Sequence, residues 1–128
     1  MVSTLPAYVT QHASVIDGEL LVLEIPYLTE GQRRELQAMS FGYKIAKYFG
    51  TKWDASNVED ARRFATHILM PGWAMNGSVA GFSPNDTLAQ MYGVTQELVQ
   101  FRKTNGKHLP DALKNLTERE IHSLKQVF

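Results

Sequence analysis

Between Glu30 and Phe49 the residues EGQRRELQAMSFGYKIAKYF sort into three rows at helical spacing, and no other stretch restricts the fold as much. Leu36, Met39, Tyr43 and Ala46 step by three and four, as do Ala38, Phe41, Ile45 and Tyr48, while Arg33, Gln37, Ser40, Lys44 and Lys47 form a polar row. Two apolar rows against one polar row predict a central, mostly buried helix that other elements must cover on two sides. Thr29 with Gln32 can close its amino end as a capping box, and Gly50 is placed to stop it.

At 128 residues the chain is expected to form a single domain, 1–128, around one core. Thirteen basic and thirteen acidic residues leave it formally neutral, so nucleic acid or an anionic membrane would have to be held by a local patch. Without cysteine there is no disulfide, thiolate zinc cluster or cysteine nucleophile, which favours a cytoplasmic protein. No run approaches the roughly eighteen apolar residues of a membrane helix, and the first residues lack a signal-peptide pattern.

Ahead of the central helix, Ala7-Tyr8-Val9-Thr10 and Glu19 to Ile25 read as strands with an Asp17-Gly18 hairpin signal between them. His12 to Ile16 fits strand or loop, and Pro26 ends the second strand or confines it to an edge. Past Gly50, Ser56 and Glu59 form a capping box for a second helix that Pro71-Gly72 stops. Gly72 to Phe82 reads as a loop with anchoring aromatics. Ser83-Pro84 then opens a short helix ended by Gly93, Thr95 caps another through about Lys103, and Thr117 with Glu120 starts a terminal helix carrying Ile121, Leu124 and Phe128. The fold class is α+β: a small amino-terminal antiparallel sheet packed on a helical layer.

The central stretch resembles the active-site helix of the ImmA/IrrE family of zinc metallopeptidases, with Met39, Ser40, Phe41, Gly42 and Tyr43 standing on the pentapeptide HExxH. Asp60, Ala61, Phe64, Ala65, Leu69, Met70 and Pro71 are similar to that family's second helix, and LAQMYGVTQELVQFR to its Leu-Ala-x-x-Phe-Gly-Val-Ser segment. The resemblance covers roughly Leu20 to Arg102. It implies a minimal zincin-like domain and an ancestry in enzymes that control helix-turn-helix repressors, often in mobile elements, by cleaving them.

A working HExxH needs two imidazoles four residues apart for zinc and a glutamate to activate the bound water, with an acidic third ligand from the next helix in this family. Met39 and Tyr43 keep the spacing but not the chemistry, because a thioether is soft for zinc and a phenol titrates near about pH 10. Ser40 cannot replace the carboxylate base, and Met39-Ser40-Phe41 is not a nucleophile elbow. Asp60 alone retains a ligand chemistry, so no metal and no cofactor is expected. The plain structural readings agree: Met39 and Tyr43 are core, Ser40 is a solvated hydroxyl, and Asp60 pairs with Arg63.

His12, His67, His108 and His122 include no pair at metal spacing within one helix. His67, seven residues past Asp60 on the same face, either looks into the former cleft or is satisfied by a local hydrogen bond. Trp73, Met75 and Phe82 are contact candidates for a partner, with burial under their loop as the alternative. Leu88 to Arg102 has a helix-turn-helix outline in which Gln96, Gln100, Arg102 and Lys103 would face DNA, although the resemblance makes the same segment packing structure. The resulting expectation is a metal-free pseudo-peptidase that binds a protein, such as a helix-turn-helix regulator, without cutting it. The alternatives are an active zinc peptidase with unrecognised ligands and a small DNA-binding protein.

Overall fold

The computed structural model describes residues 5–23, 27–75, 82–105 and 108–124. These residues form a mixed α+β domain in which one two-stranded antiparallel sheet packs on helices. The expectations placed on Pro26 and Phe128 lie outside them.

Ala7-Tyr8-Val9-Thr10, expected to be a strand, is helical instead: α1 runs Ala7–His12. Pro6 explains the change, since its carbonyl accepts the amides of both Val9 and Thr10 and so nucleates a turn that outweighs a weak, context-dependent strand preference. Val9 is buried, and Tyr8 is turned toward the central helix.

The Asp17-Gly18 hairpin forms, but its first strand is β1 at Ala13–Ile16, in the stretch that fitted strand or loop, and its second is β2 at Glu19–Val22. Asp17 and Gly18 have φ of 51° and 77°, the two left-handed conformations that a tight hairpin turn with the strands' own twist requires. Ser14 stands opposite Leu21 and Val15 opposite Leu20. Leu20 and Val22 face the helical layer, while Glu19, Leu21 and Leu23 face outward.

α2 spans Glu30–Tyr48, and its Thr29–Gln32 capping box is formed in both directions. Leu36, Met39, Tyr43, Ile45 and Ala46 are all fully buried, so the row through Met39 and Tyr43 is core as expected. The second apolar row is buried at Ala38 and Ile45, while Phe41 is half-buried and Tyr48 is 63% exposed. Gly42 sits where α2 is crossed by α3 (Val58–Leu69): an added Cβ would lie 2.8 Å from Phe64 Cδ2, so only glycine lets the helices approach this closely.

The capping box expected from Ser56 and Glu59 is not what opens α3. Asp54 accepts the Ser56 amide at 2.8 Å while Asn57 accepts the Asp54 amide at 3.0 Å, closing a 3₁₀ turn at Ala55–Asn57 that feeds directly into Val58. An aspartate reaches its own backbone two residues on more readily than a serine reaches three, so the earlier residue takes the role. Beyond Pro71 the expected loop contains one helical turn, α4 at Gly72–Met75. Pro84 rather than Ser83 takes the cap of α5 (Asn85–Tyr92), and Gly93 closes it with a left-handed φ of 66°. Thr95 caps α6 (Gln96–Asn105) through the Leu98 amide at 3.0 Å. The Thr117–Glu120 box forms as read and opens α7 (Glu118–Leu124). The main core lies between the hairpin, α2 and α3, with Leu113 and Ile121 joining it; a second cluster of Met70, Met75, Leu88, Val94, Leu98 and Val99 sits under α5 and α6.

Candidate functional site

Met39 and Tyr43, on the two histidine positions of the resembled motif, are both fully buried. Tyr43 meets Trp53 edge-on with ring centroids 5.4 Å apart and donates its hydroxyl to the Asp54 carbonyl at 2.6 Å. Burial raises its phenol well above the ordinary range, and the charges of Asp54 and Asp60 add to the shift, so Tyr43 is a neutral donor rather than an anionic ligand. Asp60 lies in the first turn of α3, and both of its oxygens are engaged, one by Arg63 at 3.2 Å and the other by the Asn57 amide group at 3.0 Å. A thioether, a neutral phenol and a carboxylate already held by a guanidinium do not make a zinc site. Among the described residues no three His, Cys, Asp or Glu side chains gather where they could hold a metal ion.

Ser40 and Phe41 turn the other way, into a groove of about 690 Å³. One wall is β2, contributing Glu19, Leu20, Leu21 and Val22; the facing wall is α2, contributing Arg34, Gln37, Ala38, Ser40, Phe41 and Lys44, and Ile68 and Leu69 of α3 lie at the base. No β1 residue lines it, so the groove runs along the strand edge that β1 does not cover. The backbone pattern of that edge follows from the hairpin. Leu23 donates its amide to the His12 carbonyl, and hydrogen-bonded pairs alternate along an antiparallel ladder, so Glu19 and Leu21 bond toward β1. The amides and carbonyls of Leu20 and Val22 therefore point away from β1, toward the edge that no other strand pairs among the described residues. Arg34 fixes the far end of the groove by donating to the carbonyls of Tyr92 and Gly93 at 2.6 and 2.8 Å, which ties α2 to the carboxyl end of α5.

Two buried polar clusters, neither visible in the sequence patterns, flank this region. In the first, Glu35 is fully buried one turn before Met39 and accepts from Tyr8 at 2.6 Å, from Arg62 at 3.0 Å and from Thr95 at 3.4 Å. Burial lifts the Glu35 carboxyl above the ordinary carboxylate value, against the opposing pull of Arg62 and the three donors. Arg62 also stacks over Phe101, with Cζ 4.6 Å from the ring centre. The signal that could have found Glu35 is its register, since 35, 39, 42 and 46 share a face on which the other three are buried.

The second cluster centres on His67, which does not look into the groove. Its Nδ1 meets Glu118 of α7, and Arg102 of α6 lies 3.0 Å from its Nε2. A guanidinium nitrogen can only donate, so Nε2 accepts and the proton sits on Nδ1, shared with Glu118. The other Glu118 oxygen accepts the Gly72 amide, and His122 reaches the His67 carbonyl at 3.3 Å. Desolvation holds the Arg102 guanidinium below its usual value.

The remaining candidates are scattered. Met75 is buried in the second core, Phe82 is 90% exposed, and the Trp73 side chain lies outside the described residues. Gln96 and Gln100 are exposed on α6, Lys103 is exposed but donates to the Ser83 carbonyl at 2.8 Å, and Arg102 is turned inward to His67. Arg102 was expected on the outer face with its neighbours; its helical position instead aligns it with Leu98 and Val99, which are core. Among the described residues no helix is long and apolar enough to cross a membrane. No family model, no curated protein and no solved structure matches the chain.

Proposed function

We propose that this chain acts by binding: a metal-free domain resembling the ImmA/IrrE peptidases that holds an extended segment of a protein, a helix-turn-helix regulator being the first partner to try, without cutting it. The observation that carries the reading is the pairing of an open strand edge with a groove, the edge lying beside a helix whose motif positions are occupied by core side chains. An extended segment laid along β2 would bond to the amides and carbonyls of Leu20 and Val22 and place alternate side chains against Phe41, Ile68 and Leu69. Among the described lining residues none is placed to activate water: Ser40 has no histidine beside it, and the Tyr43 phenol is neutral and directed at a backbone carbonyl.

The test is selection from a random displayed-peptide library on the wild-type chain and on Val22→Pro, which deletes an outward amide without touching the ladder to β1. Wild type should enrich sequences rich in strand-forming residues, the variant should not, and the recovered peptides should be intact by mass spectrometry. Cleaved peptides whose cutting stops with a chelator would establish the active-peptidase alternative. Equal enrichment on both proteins would remove the groove from consideration.

A further inference from the structure

Resting on that binding role, the structure assigns the groove a partner chemistry: an extended protein segment that pairs antiparallel to β2, the more stable pairing, and whose carboxylates follow its strand-forming part, where it leaves over Lys44 and Lys47. The groove has a direction. Gly18 at the hairpin tip abuts the side chain of Lys52, which follows the carboxyl end of α2, so Glu19 and Lys44 mark one end and Val22 and Arg34 the other. At the tip end the surface is basic and aromatic. Lys44 and Lys47 are exposed and form no ion pair among the described residues, and residues 40–53 contain no aspartate or glutamate. Tyr48 and Phe49, 63% and 47% exposed, meet edge to face with centroids 5.0 Å apart beside these lysines.

Within the groove lining the cations are Arg34 and Lys44, and the one carboxylate among the described lining residues is Glu19. Arg34 donates to two backbone carbonyls at the carboxyl end of α5 and forms no ion pair among the described residues. A formally neutral chain thus presents a locally positive path along an apolar groove, ending on two aromatic rings. Helix-dipole matching accounts for one lysine in the last turn of α2, Lys47, but not for Lys44 reaching into the groove lining. Single-stranded nucleic acid would also meet lysines and aromatic rings, but its phosphodiester backbone has no donors to pair with the outward carbonyls of β2, whereas an acid-rich strand uses every feature of the path.

The experiment uses two synthetic peptides with the same strand-forming centre, one followed by glutamates and an aromatic residue, the other by lysines and the same aromatic, each read by fluorescence anisotropy. The acidic peptide should bind at least about tenfold more tightly, or about 1.4 kcal/mol. Its advantage should shrink as salt is raised and should reverse in Lys44→Glu with Lys47→Glu, two exposed changes that lower melting only slightly, through the Lys47 charge at the carboxyl end of α2. Val22→Pro should abolish both peptides' binding; Ser40→Trp, which fills the groove from α2, supplies the same blockade should the proline disturb the hairpin.

Equal binding of the two peptides, lost in the blocked variants, would overturn the acidic preference while leaving the groove reading in place. No binding of either would overturn both. Tighter binding of a single-stranded oligothymidylate than of the acidic peptide, lost in the double-lysine variant, would overturn the proposal in favour of nucleic acid.

Discussion

The motif positions of α2 and the two buried charged clusters lie on the same pair of helices, yet they are built in opposite ways. At Met39, Gly42 and Tyr43 the interior is apolar, neutral and close-packed, and Tyr43's one polar atom is satisfied by a backbone carbonyl. One turn away, Glu35 and Arg62 are buried as ions, and at the other end of α3 His67 is enclosed by Glu118 and Arg102. Burying charge costs several kcal/mol unless each ion is paired and hydrogen-bonded, and here the pairs reach across elements. Glu35 joins α2 to Tyr8 of α1, Arg62 of α3 and Thr95 before α6; Glu118 joins α7 to α3 and α4. The lesson is that charge in this interior serves to fix which elements meet. Met39 and Tyr43 are core by contrast, and the groove lies on the other face of α2.

The largest effects should come from reversing each half of that contrast. Glu35→Ala leaves the Arg62 guanidinium buried without its counter-ion and should cost about 3–5 kcal/mol of unfolding free energy, measured by urea titration. Replacing both Glu35 and Arg62 with Met should recover most of that loss, because an apolar pair of similar volume carries no desolvation cost. A double replacement as unstable as Glu35→Ala would show that the cluster contributes more than compensation of its own burial.

Tyr43→Asp performs the converse, placing a carboxylate in the apolar half. Among the described residues no cation acts on Tyr43, and Asp54 and Asp60 are close enough to act on its phenol, so the new charge would be both buried and repelled. A loss of several kcal/mol is expected, read as a lowered melting temperature. Unchanged melting would mean that the position is plastic enough to open toward the groove, and the contrast between the two regions would fail.

How much of this could be read beforehand divides by sequence distance. α2, the Asp17-Gly18 turn, the Thr29 and Thr117 capping boxes and the Gly93 stop were all legible, because each is decided within four or five residues. The α1 turn was not, since Ala7 to Thr10 carries a strand-like composition and its helical state rests on Pro6 and on the docking of Tyr8 against a residue 27 positions away. Glu35 and Arg62, also 27 apart, were invisible for the same reason: a charged residue on a helix is solvated by default, and the partner that makes burial tolerable comes from another helix. The groove was not legible: Gln37, Ser40 and Lys44 of the polar row line it, but its other wall is the edge of β2, and edges are set by which strands are not there to pair.

A smaller effect tests whether burial or the donors control Glu35. The wild type should be compared with Glu35→Gln, which keeps the shape and removes the titration. Because burial raises the folded carboxyl above its unfolded value of about 4.3, the native state holds the proton through a pH window in which the unfolded chain has released it. The native state then binds more protons than the unfolded one, so unfolding free energy falls as pH rises across that window. The difference, wild type minus Glu35→Gln, should be flat below the unfolded value, decline by at most about 1.4 kcal/mol per pH unit through the window, and flatten again above the folded value. Urea unfolding of both proteins at steps of pH through the acid range gives this curve directly. A difference that rises with pH would mean that Tyr8, Arg62 and Thr95 together outweigh desolvation, placing Glu35 below the ordinary value and making the cluster a net source of stability at neutral pH.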